Sequence, residues 1–142
     1  MGSAMEYDPR YLAGVCLFNR RDFFEAHEVW EDIWRDGPAG ERRFYQGLIQ
    51  AAVALYHGLR GNWRGARRLF HSGRNYMSAF PARYLGLAIA PFWQDMARCL
   101  AALLGEGEPA AGVAVDVAAL PRIELVPPPL TWPDPHAARL RP

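Results

Sequence analysis

Residues 41–60, ERRFYQGLIQAAVALYHGLR, have the pattern of a helix that is apolar almost all the way round, and this limits the folds open to the chain. Phe44, Leu48, Ala51 and Leu55 form one stripe at helical spacing, and Tyr45, Ile49, Ala52 and Tyr56 form a second. Such a helix must be covered on several sides, which places it in the middle of a bundle. Its remaining arc carries Gln46, Gln50 and His57, with Val53 between them. Polar groups on a covered helix need partners.

Segments that supply the cover lie on both sides. DPRYLAGVCLFN predicts a first helix capped by Asp8, with Pro9 at the position where a missing N–H is harmless. Asp22 predicts the cap of a second helix, whose Phe23, Ala26, Trp30, Ile33 and Trp34 recur at three and four before GPAG stops it. After Gly61 and Asn62, a fourth helix repeats Trp63, Ala66, Phe70, Gly73, Met77 and Phe80 in a single packed seam, limited by Pro81. A fifth fits from about Ala90 to Leu104. The connections are short, so neighbours run antiparallel. The expected fold is all-α: one antiparallel bundle of about five helices over 6–105, followed by a Pro-rich arm over 106–142. Eight of the twelve prolines lie beyond Leu104, which leaves no material for a second globular domain. Ile123 and Leu125 are expected to lay that arm on the bundle.

A chain of 142 residues, 51% hydrophobic, suits one core. No apolar run is long enough to span a bilayer and no signal pattern opens the chain, so the expectation is a cytoplasmic protein with no membrane partner. Every basic residue other than histidine is arginine; with no lysine there is no Schiff-base chemistry and no phosphate-loop lysine. Serine and threonine number four together, and none sits in a nucleophile elbow. Cys16 and Cys99 lie in apolar helical patterns and read as core residues.

Charge is unevenly placed. Residues 22–41 hold seven acids and one Arg, whereas residues 60–83 hold six Arg and no acid. Arg64, Arg67, Arg68 and Arg74 therefore form a candidate interaction face on the fourth helix, suited to an acidic protein surface or to the acidic second helix of another copy. The expectation is self-association or an acidic protein partner. Aromatic residues are not read as interleaved with these arginines, because Trp63 and Phe70 belong to the seam; that argues against nucleic acid.

The second helix holds the most pointed feature, FFEAHEVWEDIW. At 100° per residue His27 falls within the arc of Phe23, Trp30 and Trp34, and Glu31 lies at its margin. The two are four apart and can touch. Joined to Gln46, Gln50 and His57 of the third helix, they predict a buried polar cluster that either supports the fold or holds a small molecule or metal. HEVWE lacks the second histidine of a zinc-protease motif, and a di-iron carboxylate site would need a Glu-x-x-His pair on each of two helices. Neither metal nor cofactor is identified by the residues, and no reaction follows from them.

Two wider resemblances can be read. LFNRRDFFEAHEVW and LRGNWRGARRLF each join two helices through a polar turn followed by an aromatic residue and an alanine, forty residues apart, as in a tetratricopeptide pair. That suggests the alternative of a non-catalytic protein-interaction module. More specifically, EAHEVWE, GLIQAA and HGLRGNWRGA in this order, with a weaker YLGLAIAPFWQDM and a closing PRIEL, make residues from Tyr11 to about Leu104 similar to the family of small helical proteins known as domain of unknown function 309. The resemblance implies an all-helical bundle with no established activity, and marks Glu25, His27, Glu28, Glu31, Trp34, Gln50 and His57 as its motif positions.

Overall fold

The computed structural model describes residues 6–136. Among these residues five α-helices follow in order: α1 (Pro9–Asn19), α2 (Phe23–Asp36), α3 (Arg42–Leu59), α4 (Trp63–Met77) and α5 (Ile89–Leu100). The all-α bundle expected from the apolar spacing is what forms. α1 starts where Asp8 accepts the backbone N–H of Arg10 at 2.8 Å, with Pro9 behind it. Asp22 occupies the cap of α2 but makes no side-chain bond there, whereas Asn62 at the head of α4 accepts the N–H of Gly65 at 3.0 Å.

The forty-residue echo in the sequence is also an echo of backbone geometry. Arg21 and Gly61 both take positive φ, at 70° and 82°. The N–H of Asp22 reaches the carbonyl of Leu17 at 2.9 Å, and that of Asn62 reaches His57 at 2.8 Å. Ala26 then bonds back to Asp22, and Ala66 to Asn62. One turn is thus built twice, joining α1 to α2 and α3 to α4.

α3 packs against α2 on one side and α4 on the other. A Cβ at Gly47 would sit 3.0 Å from the carbonyl oxygen of Gly73, and one at Gly73 would sit 3.1 Å from that of Gly47. The two helices therefore touch backbone to backbone at this crossing. Tyr11, Phe18, Trp30, Phe44, Phe70 and Met96 fill one continuous core drawn from all five helices. Burying such large side chains supplies about 1.5–3 kcal/mol each toward folding, before conformational entropy is subtracted.

Three details depart from the sequence reading. A two-stranded hairpin, β1 (Arg83–Tyr84) with β2 (Leu87–Ala88), precedes α5. Its turn residues Leu85 and Gly86 both have positive φ, as a type I′ turn requires, and a leucine there gives no turn signal. α5 also stops at Leu100 and continues as a 3-10 turn over Ala101–Leu103. Finally, Trp34 is not part of the core.

Beyond that turn the chain crosses the bundle as an arm. Val115, Ile123 and Leu125 are buried, and Asn19 at the end of α1 clasps the Ile123 peptide from both sides, donating to its oxygen at 3.0 Å and accepting its N–H at 2.8 Å. Of the arm expected over 106–142, residues 137–142 lie outside the described part. No helix among the described residues is long and apolar enough to cross a membrane.

Candidate binding surface on the second, third and fourth helices

The buried cluster does not form. No polar or charged residue among the described ones is fully buried. His27 is only partly covered: its Nδ1 lies against the carbonyl of Phe24 one turn back, and its Nε2 stands 3.7 Å from a Glu31 carboxylate whose side chain is 48% exposed. His57 instead pairs with the Asn62 amide at 3.3 Å, in the turn leading to α4. Gln50 packs its Cβ toward Gly73, and its amide oxygen is buried with no hydrogen-bond partner. Gln46 is half-buried on the same arc. The physical reason is that α3 is covered on the α2 and α4 sides and on its inner face, but not on its outer one. Gln46 and His57 lie on that outer face and needed no buried partners, whereas Gln50, turned toward α4, is left with a buried amide oxygen that has none.

The metal version of the cluster falls with the geometry. Among the described residues no three His, Cys, Asp or Glu side chains come together in a way that could hold an ion. Glu25 lies 4.0 Å from His136 of the arm, and Glu28 is half-buried nearby on α2.

What the structure brings together is a run of aromatic side chains and arginines along the seam between α2 and α3. At one end Phe24, 47% exposed, packs its ring on Tyr56 at 5.2 Å and on His27 at 4.7 Å, and the Arg60 guanidinium lies over Tyr56. At the other end Trp34, 37% exposed, lies under Arg42 at 5.6 Å. His27 and Glu31 sit between. Trp34 is outward-facing because the arc of α2 turned to the core is narrower than the spacing suggested.

The α4 side repeats the theme. Arg43 of α3 covers Tyr76 at 4.7 Å, while Arg64 and Arg67 bracket the Trp63 ring at 4.7 and 4.5 Å. Aromatic rings are thus interleaved with the arginines after all, because the rim of Trp63 reaches out of the seam and Tyr76 lies beside it. Of the four arginines expected to form a face, Arg67 has another task. Its Nε donates to the carbonyl of Leu103 at 2.9 Å and its terminal nitrogen to that of Gly107 at 2.7 Å, pinning the start of the arm. Arg64, Arg68 and Arg74 remain exposed.

On the α3 and α4 side the electrostatics follow from an absence of acids, whereas the α2 wall of the seam carries Glu25, Glu28 and Glu31. Between Arg42 and Gln94 the sequence has eight Arg and neither Asp nor Glu. Among the described residues no ion pair involves Arg42, Arg43, Arg60, Arg64, Arg68 or Arg74. A guanidinium over a ring gains roughly 0.5–1 kcal/mol at an exposed site and keeps its outward N–H groups available. Sequence reasoning missed Phe24, Tyr56, Arg42 and Arg60. The signal was present in the acid-free run, which starts at Arg42 and not at Arg60.

These features describe a small helical domain with an open, arginine-lined face. Residues 11–69, from α1 into α4, match the model of the family described as a domain of unknown function (DUF309), so the family resemblance is shown over that span. The chain is 45% identical over 75 residues to the uncharacterized protein YpuF of Bacillus subtilis, covering 51% of this chain and 43% of that protein. It is 31% identical over 71 residues to an uncharacterized protein of Aquifex aeolicus, covering 49% of this chain and 21% of the other. The match spans less than half the length of either relative.

Proposed function

We propose that this chain is a non-catalytic protein-interaction module whose α2–α3–α4 face holds an acidic helical segment of a partner protein. The observation that carries the reading is the set of exposed arginines on α3 and α4 that form no ion pair among the described residues, several of them lying over aromatic rings. Pre-positioned guanidinium groups lose less freedom on binding carboxylates than freely moving ones. Arg42 and Arg60 flank α3, roughly 27 Å apart at 1.5 Å per residue. A partner helix of about five turns with acids near both ends matches that span. Phe24 and Trp34 would give its apolar side something to cover.

The test uses a fluorescent poly-L-glutamate of about twenty residues and a thymidine oligonucleotide of equal length, followed by anisotropy at low and high salt. Saturable binding of the polyglutamate that weakens at least tenfold between about 20 and 200 mM salt is expected. The pair of substitutions Arg42→Gln and Arg60→Gln should reduce it further. Tighter binding of the oligonucleotide, or indifference to the two substitutions, overturns the reading.

A further inference from the structure

Between the C-terminal half of α4 and the start of α5 lies a cleft of about 340 Å³. That is within the range of small-molecule sites, roughly 300–1,000 Å³. Its floor is apolar: Met77, Ile89 and Trp93 are all buried there, and the half-buried Phe80 forms part of the wall. Trp93 is held in place from behind by ring contacts with Phe70 at 5.7 Å and Phe92 at 5.4 Å. Its indole N–H donates to the thioether sulfur of Met77 at 3.1 Å, so the polar edge of the ring is satisfied within the wall and the floor offers apolar surface. Gly73 is what allows this arrangement, since a Cβ there would come within 2.8 Å of the Trp93 ring.

The rim is different in kind. Arg74 and Gln94 stand exposed at the mouth, and Arg74 has no ion-pair partner among the described residues. The sequence around the cleft holds no acid from Arg42 to Gln94. An apolar floor with one uncompensated cation at its edge is complementary to a molecule with an apolar body and one negative end.

We propose that the α4–α5 cleft binds a small monocarboxylate with an aliphatic body, of the medium-chain fatty acid class. The chain lies on Ile89 and Trp93 against the wall formed by Phe80, and the carboxylate meets the Arg74 guanidinium at the mouth. Each methylene withdrawn from water strengthens such binding by about fourfold until the floor is covered. A charge-assisted contact to the guanidinium fixes which end faces out. Arg74 is shared with the arginine face of the acidic-helix reading, but the floor of the cleft is not, and Arg42→Gln with Arg60→Gln leaves the cleft untouched, so the two readings fail separately.

The experiment is a titration of the full chain with sodium hexanoate, sodium octanoate and 1-octanol, read from the tryptophan indole N–H signals in proton–nitrogen NMR. Trp93→Phe identifies the signal of Trp93 among the five tryptophans. Octanoate should shift that signal with a dissociation constant on the order of 0.1–1 mM, leaving Trp34 and Trp63 unmoved. Hexanoate, two methylenes shorter, should bind more weakly by about sixteenfold. The exposed substitution Arg74→Gln should weaken octanoate about tenfold while hardly changing 1-octanol. A Trp93 signal unmoved by millimolar octanoate overturns the proposal. So does equal affinity for octanoate and 1-octanol, or octanoate binding that is unchanged in Arg74→Gln.

Discussion

Arg21 holds a φ of 70°, where a Cβ crowds the neighbouring carbonyl oxygen at a cost of roughly 1–2 kcal/mol. Gly61 performs the same turn forty residues later with no Cβ to crowd. Arg21→Gly should therefore stabilise the fold. Some of the relief is offset by the greater freedom of glycine in the unfolded chain, so the net gain expected is about 0.5–1 kcal/mol. The urea midpoint checks it, and a lower midpoint would mean that the arginine side chain makes a contribution larger than the strain. The shared turn was legible because a polar turn, an aromatic residue and an alanine recur together. The position of His27 was legible only in part. Its helical angle is right, but an angle says which way Cβ leaves the helix and not whether another element closes over it. Leu85 was not legible at all, since its positive φ is imposed by the strands on either side and not by its own chemistry.

At the scale of elements, the helices were readable because caps, glycines and apolar spacing agree with one another along α1 to α4. The face of α3 was misread for a related reason: a helix apolar on three sides looks the same in sequence whether its fourth side is closed or open. The arm was legible in its apolar anchors Ile123 and Leu125 but not in its polar ones. Asn19 is one asparagine at a helix end, and only the structure reveals that it brackets a peptide 104 residues away. Removing it with Asn19→Ala deletes two hydrogen bonds worth about 0.5–1.5 kcal/mol each. The loss falls on the arm and not on the helices, so local opening should become more frequent. Arg122 is exposed beside the clasped residue, which makes trypsin cleavage after it a direct reporter. Cleavage should accelerate about tenfold or more while the helical circular dichroism is retained; an unchanged rate would locate the arm's hold elsewhere.

For the whole molecule, one packed core makes stability depend on pH on the alkaline side. Burial raises the Tyr11 hydroxyl well above its ordinary value, and burial together with the neighbouring Glu41 charge does the same for Tyr45, whose hydroxyl donates to Glu41 at 3.1 Å. Burial also pushes the Cys99 thiol up to about 12. Each group stays protonated in the folded chain at a pH where the unfolded chain has released its proton. The folded state then binds more protons, so stability falls as pH rises. The contribution is complete below the ordinary values of 9.0 for the thiol and 10.0 for the hydroxyls, and is lost above them. The urea midpoint should be flat from about pH 7 to 8.5 and then fall steadily toward pH 11. A midpoint that holds constant to pH 11 would contradict the burial of these groups.

The clasp of Asn19 on Ile123 also orders events in time. Contacts of α1 with α2, of α2 with α3 and of α3 with α4 join neighbours in the chain, and loops that short close quickly. The arm returns across 104 residues to α1, and its binding surface does not exist until the helices have assembled. Refolding watched through helical circular dichroism should therefore run ahead of refolding watched through burial of the arm. The arm acts as a latch that closes on a bundle already formed.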